Sequence, residues 1–460
     1  MIMKYFVLLF ALCSALQLHA EVKLPVIFSD HMVIQRDVEA PVWGWAKPGE
    51  KVSVSFNGKT TTTTADDEGK WSVKLEKSDA SAEPQKLTVE GSNQITLNNV
   101  LVGDVWICSG QSNMEWPLKK CSKNPGEVAA SQKDNKQLRL FRIPKHIKIK
   151  TPAEDAPGAW STTENEKDCL SFSGCGFFFG VELQKELDIP IGLIDTSWGG
   201  TSIDEWISNK AYKSFFDKER SQSIYNGMVA PLVPFAIKGA IWYQGESNRG
   251  NEFPAYFTKL DALISGWRED FQVGDFPFHL VQIAPFKYNK NKAGDDQILP
   301  RNIWAAQYKA DEEIENCGII PIHDTLHGNI TDIHPWDKKP VGARLASLAL
   351  KENYGKDVPH TGPKFASATS SFGKVEVSFG HIDQGLTTTD EEDPKFFELS
   401  GSDKNFVPAE AKIKGNSVVV TAAEIESPKF VRMGWNETLE PNLADKNGWP
   451  VFQFPAQEID

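Results

Sequence analysis

Ser112 stands in SGQSNMEW (Ser109 to Trp116), directly after the apolar run VLVGDVWI, Val100 to Ile107. Gly, Ser and Asn are ordinary turn residues, so the stretch alone reads as a turn or as a serine held at the tip of a strand. A serine hydroxyl is a weak nucleophile until a base takes its proton. Matching groups follow other apolar runs: Gly199 and Gly200 in SWGGTSIDEW, Gln244, Glu246 and Asn248 in QGESN, Asp324 after GIIPIH, and Asp332 and His334 in TDIHPWDKK. His334 is the best base available. A carboxylate should hold its second nitrogen. The Ser112 N–H, the Gly200 N–H and the Gln244 side-chain amide are candidate donors to an oxyanion. Such a set suits attack on an ester carbonyl. Taken singly, Gly199-Gly200 is a turn, His334 before Pro335 a cap or surface histidine, and Glu246 a solvated carboxylate. Their joint placement carries the chemical reading.

The carboxylate stays open between alternatives. Asp332 lies two residues before His334, so an extended backbone would run its side chain beside the imidazole. It could instead tie down its own turn. Glu246 comes from the same edge and competes with it. A third arrangement is a Ser–His pair with a backbone carbonyl holding the imidazole.

The elements that must position these groups alternate. LVGDVWI (101–107), IGLIDT (191–196), IKGAIWY (237–243), FPFHLVQI (276–283) and GIIPIH (318–323) read as strands. Helical patterns lie between them in GFFFGVELQKEL, AYFTKLDALISGWREDF and WAAQYKADEEIEN, and VGARLASLALKENYG closes the series. This predicts an α/β domain over 99–358, with a parallel sheet covered on both faces. Ligands bind outside the carboxyl ends of such strands, and all four motifs fall there. Residues 119–173 break the pattern and read as a long loop insertion. Residues 21–98 read as a small β-sandwich, with Pro48-Gly49 and Asn57-Gly58 turns and a hairpin at Asp67-Glu68-Gly69. Strand signals return over 359–460.

The chain of 460 residues is long enough for two or three domains, and 40% apolar with 24% charged residues reads as globular. A net charge of -13 argues against nucleic acid and anionic membrane surfaces as partners. Residues 1–20 read as a cleaved export signal, too short to span a bilayer, and no later stretch reads as a transmembrane segment. The expected location is therefore periplasmic or secreted. Cys108, Cys121, Cys169, Cys175 and Cys317 form no C-x-x-C pair. His323 and His327 bracket Asp324 at a spacing that fits no zinc pattern, so no metal is expected. Trp116, Trp198, Trp206, Trp242 and Trp336 lie near the motifs. Most read as core residues, with one or two, Trp198 among them, able to stack on a sugar ring.

SGQSNMEW, TSWGGTSIDEW, IWYQGESN and IHP-x-x-K-x-x-VG-x-RLA together resemble the sialate O-acetylesterase family of SGNH-type carbohydrate esterases. LPVIFSDHMVIQRD and VRMGWNETLEPNLADKNGWPVFQF extend the resemblance toward both ends. It implies a flavodoxin-like SGNH hydrolase sheet flanked by β-sandwich regions. The implied enzyme is a serine esterase that removes O-acetyl groups from sugars, foremost O-acetylated sialic acids, without metal or cofactor. The resemblance makes Ser112 the nucleophile, His334 the base, and Gly200 and Gln244 oxyanion contributors, with Asn248 and Trp198 near the substrate. Many relatives carry an acid three residues before the histidine, where this chain has Thr331. A Gly-Glu pair like Gly245-Glu246 is the acid partner in some related acetyl esterases. Acetylated xylan is the alternative substrate, and a catalytically silent carbohydrate-binding protein the alternative class. Arg142 and Arg249 are candidates for an anionic sugar group.

Overall fold

The computed structural model describes residues 21–145, 149–220, 222–248, 254–288 and 299–460. The export-signal expectation for 1–20 and the Arg249 candidate lie outside the described residues.

One 17-residue strand, Gln94–Gly110, organises the chain. Its first half pairs antiparallel with Ser81–Glu90, and Leu101–Gly103 pairs parallel with Val33–Gln35. Its second half is the centre of the main sheet. From Val100 to Gly110 every residue is buried, as a parallel strand covered on both faces requires. Alternate side chains enter opposite cores: Val105 and Ile107 on one face, Trp106 and Cys108 on the other. The expected boundary at 98–99 therefore falls inside a continuous strand.

The main sheet runs in the order Cys317–Ile320, Phe278–Val281, Gly239–Tyr243, Gln94–Gly110, Ile191–Ser197, Leu138–Arg142, Trp160–Thr162. All its neighbours are parallel except the last pair. The chain leaves the central strand toward Ile191–Ser197 on one side and later returns to Gly239–Tyr243 on the other. That reversal opens a crevice at the carboxyl end of the central strand, where Ser112 lies. Helices Gly174–Leu187 and Lys339–Tyr354 pack together over one face. Ala255–Phe271 and Leu299–Glu313 contribute Trp267, Ile303 and Trp304 to the core on the other.

Residues 119–173 differ from the loop expected of them. They hold helices Pro125–Ser131 and Glu166–Ser171 and the strands Leu138–Arg142 and Trp160–Thr162, the second of which forms the sheet edge. Leu138–Arg142 is paired on both sides, with Ile191–Ser197 and Trp160–Thr162, but Arg139 and Arg142 interrupt the apolar run that marks the other inner strands.

The C-terminal region forms two four-stranded antiparallel sheets and a two-stranded one around their own core, which includes Val377, Leu399, Val420 and Val431. Arg344 in the closing helix donates to the Gly448 carbonyl at 3.1 Å and ties this region to the main sheet. No helix among the described residues is long and apolar enough to cross a membrane.

Candidate active site

The turn after the central strand depends on glycine. Gly110 has φ +136, and a Cβ there would lie 2.2 Å from the Tyr243 carbonyl oxygen. Without a side chain, the two strand ends stay close and the Gln111 N–H reaches Tyr243 O at 3.0 Å. The chain then bends into the single helical turn Ser112–Glu115. Ser112 opens that turn, so its N–H has no intrahelical acceptor. The next loop closes on it: a Cβ on Gly199 would lie 3.1 Å from Ser112 Cβ. The Gly199 N–H donates to Glu115 Oε2 at 2.7 Å. Gly200 follows with φ +78 and is exposed.

His334 Nε2 lies 2.9 Å from Ser112 Oγ. Its ring stacks on Trp116, with centroids 4.8 Å apart and planes 19° from parallel. Burial holds the imidazole below its usual pKa, Lys338 and Lys120 add to that, and Asp332 opposes it. Asp332 Oδ1 accepts the His334 backbone N–H at 2.9 Å, the Asx-turn alternative. Glu246 is buried, and burial raises its pKa. Its Oε1 accepts from Asn113 Nδ2 at 2.5 Å. Among the described residues, then, no carboxylate hydrogen-bonds the His334 ring. Asn113 Nδ2 also donates to the Ile333 carbonyl at 3.0 Å, and Asn113 Oδ1 accepts from Lys338 Nζ at 2.6 Å.

Gln244 is expected to turn an amide donor toward the serine. Instead, Gln111 Oε1 (3.1 Å), Thr201 O (3.2 Å) and Asn248 Oδ1 (2.7 Å) surround its Nε2. Tyr256 Oη donates to its Oε1 at 2.7 Å. Two N–H groups facing three acceptors leave no spare donor. Asn248 Oδ1 also accepts the Ile203 N–H at 2.8 Å, which pins the loop after Gly200. Trp198 is half-buried, with Lys145 Nζ 6.0 Å from its ring centre. Trp206 and Trp242 are core residues. Arg142 turns away, donating to Ser171 O at 2.9 Å and lying 3.5 Å from Asp195.

Among the described residues no three His, Cys, Asp or Glu side chains gather as metal ligands. Arg344 holds Asp324 through two bonds of 2.7 and 2.6 Å, and His327 meets Asp337 at 3.2 Å. Cys108, Cys121, Cys169, Cys175 and Cys317 are buried free thiols.

Asn113 and Lys338 sit inside the quoted motifs, but residue type and spacing alone assign them no part. A signal existed for Lys338. It stands at the residue before helix Lys339–Tyr354, where the helix dipole disfavours a cation.

A serine–histidine pair at the switch point of a mainly parallel α/β sheet is a layout suited to ester hydrolysis. Residues 102–349, more than half of the chain, match the family "Carbohydrate esterase, sialic acid-specific acetylesterase", and the chain belongs to that family. It is a carboxylic ester hydrolase that removes O-acetyl groups from carbohydrate. It is 29% identical to human (Homo sapiens) sialate O-acetylesterase over 388 residues, covering 73% of this chain and 72% of that one. The mouse (Mus musculus) enzyme is 27% identical over 444 residues, covering 81% and 80%. The crystal structure of a carbohydrate acetylesterase from Xanthomonas citri superposes with a TM-score of 0.86 at 34% identity, covering 94% of this chain and 99% of that one.

Proposed function

We propose that this chain is a sialate O-acetylesterase working through Ser112 and His334. The observation that carries the mechanism is the 2.9 Å contact between Ser112 Oγ and His334 Nε2. His334 takes the hydroxyl proton as Ser112 Oγ attacks the acetyl carbonyl. The backbone N–H groups of Ser112 and Gly200 meet the oxyanion. The tetrahedral intermediate collapses, and the sugar oxygen leaves with the proton from His334. Water, deprotonated by His334, then attacks acetyl-Ser112 and releases acetate. Gln244 and Asn248 shape the oxyanion loop from behind. Trp116 lies against the imidazolium, whose charge a stacked indole face favours.

The mouth of the site favours an anionic sugar. Three tryptophans there carry lysines: Lys120 lies 5.3 Å from the ring centre of Trp116, Lys123 5.6 Å from that of Trp336, and Lys145 6.0 Å from that of Trp198. Lys145 pairs with Glu115 at 2.7 Å. Among the described residues, no carboxylate pairs with Lys120 or Lys123. On a chain of charge -13, this local excess of cations suits the sialic acid carboxylate better than neutral xylan.

The remaining layout belongs to the same proposal. Numbering only the five strands read from the sequence, their spatial order is 2-1-3-4-5, which supports a flavodoxin-like SGNH sheet. An N-terminal β region that runs on into the central strand, the hydrolase domain up to 358, a C-terminal region over 359–460 and export through residues 1–20 complete it. Acetate release from O-acetylated sialic acids, set against acetylated xylan, tests the substrate. Faster turnover of xylan would move the assignment to plant polysaccharide, and no release from either would favour a silent sugar-binding protein.

A further inference from the structure

The peptide unit between Ile333 and His334 is gripped at both edges. Its carbonyl accepts from Asn113 at 3.0 Å and its N–H donates to Asp332 at 2.9 Å. Asn113 follows Ser112, and Ile333 precedes His334. The two neighbouring pairs therefore meet twice, once through Ser112 and the imidazole and once through Asn113 and the peptide that carries the imidazole.

A carboxamide can be turned end for end with little change in shape, so something must set its direction. Lys338 does so, because an ammonium only donates. Its Nζ takes Asn113 Oδ1 at 2.6 Å, which leaves Nδ2 for the Ile333 carbonyl and Glu246. Lys338 is fully buried, with Nζ 4.9 Å from the ring centre of Tyr243. Burial pushes its pKa down to about 8, opposed by Cys121, Cys175, Glu246 and Asp332. A cation buried at the start of a helix opposes both solvation and the helix dipole. A methionine of similar length would fill the space more cheaply. A costly ionisable group beside a reactive pair is a mark of function.

We propose that Lys338 is a positioning residue of the esterase, holding the Asn113 carboxamide so that the His334 peptide aims the imidazole at Ser112. This rests on the Ser112–His334 reading given above. The groups facing His334 are Ser112, Trp116, Asp332, Lys120 and Lys338.

The test is Lys338→Met on a chromogenic acetyl ester, with fold checked by near-UV circular dichroism. A misaimed base should lower kcat about 10–100-fold. KM should stay within about threefold, because ground-state binding is untouched. The acid limb of the kcat/KM profile should move to higher pH, since a charge that holds the imidazole pKa down is gone. Asn113→Ala should lose a similar factor, and the double variant should be no worse than Asn113→Ala alone. A folded Lys338→Met with unchanged kcat, an equal loss at every pH with the limb in place, or additive losses would each overturn the proposal. If Lys338→Met does not fold, Asn113→Ala decides, and more than half of wild-type kcat overturns the proposal. Ser112→Ala separates the two failures. Activity in that variant sinks the nucleophile reading itself, whereas an inert Ser112→Ala beside a fully active Lys338→Met sinks only the positioning role.

Discussion

Asp332 holds the backbone N–H of His334 at 2.9 Å, and its carboxylate hydrogen-bonds the loop rather than the ring. The acid therefore acts on the base through the main chain. Glu246 acts at one further remove, through Asn113. The ring itself rests on Trp116.

Amide substitutions follow from this. Asp332→Asn keeps an oxygen for the His334 N–H, and Glu246→Gln keeps one for Asn113. Each should lose far less than the roughly 10⁴ in kcat that a ring-bonded triad acid loses. Asp332→Asn should also move the acid limb to lower pH, because Asp332 raises the His334 pKa. Steady-state pH profiles check both points. A loss near 10⁴ in either variant would show that its carboxylate reaches the imidazole during turnover.

Trp116 carries a second expectation. The stacked indole should stabilise the imidazolium by about 0.5–2 kcal/mol, so Trp116→Leu should lower kcat roughly 2- to 30-fold. Trp116→Phe, which keeps a ring face, should recover part of the loss. Equal kcat values for the Leu and Phe variants would count against the stacking role.

Stability should fall in acid for a reason outside the site. Burial pushes His279 and His323 down to about 4, and neither ring nitrogen of His323 has a partner. A histidine with a depressed folded pKa binds more protons when unfolded. Its penalty is absent above the unfolded value of about 6.5 and grows as pH falls toward 4, reaching about 2–4 kcal/mol per residue. Urea unfolding at pH 7 and 4.5 should show the drop, and His323→Leu should remove about 2–3 kcal/mol of it. An unchanged pH dependence in His323→Leu would refute this.

Much of this was legible in the residues. Long apolar runs marked the central strands, and four motifs at their ends brought Ser112, Gly200, Gln244 and His334 to one edge. Leu138–Arg142 was missed because Arg139 and Arg142 break up its apolar run, although it is paired on both sides. The break expected at 98–99 was misplaced because one strand serves two sheets. Gln244 and Asp332 show the harder limit. Where a side-chain amide or carboxylate points depends on partners from several elements, such as Tyr256, Thr201 and Gln111 around Gln244. Spacing along the chain carries little of that.

The central claim is that the Ser112 hydroxyl attacks the ester. The direct measurement is kcat for acetyl ester hydrolysis by Ser112→Ala, made on protein whose circular dichroism matches the wild type. Loss of a nucleophile backed by an intact oxyanion site should cost on the order of 10⁶ in kcat. Retention of more than about a tenth of wild-type kcat, far above what the loss of a true nucleophile leaves, would contradict the account.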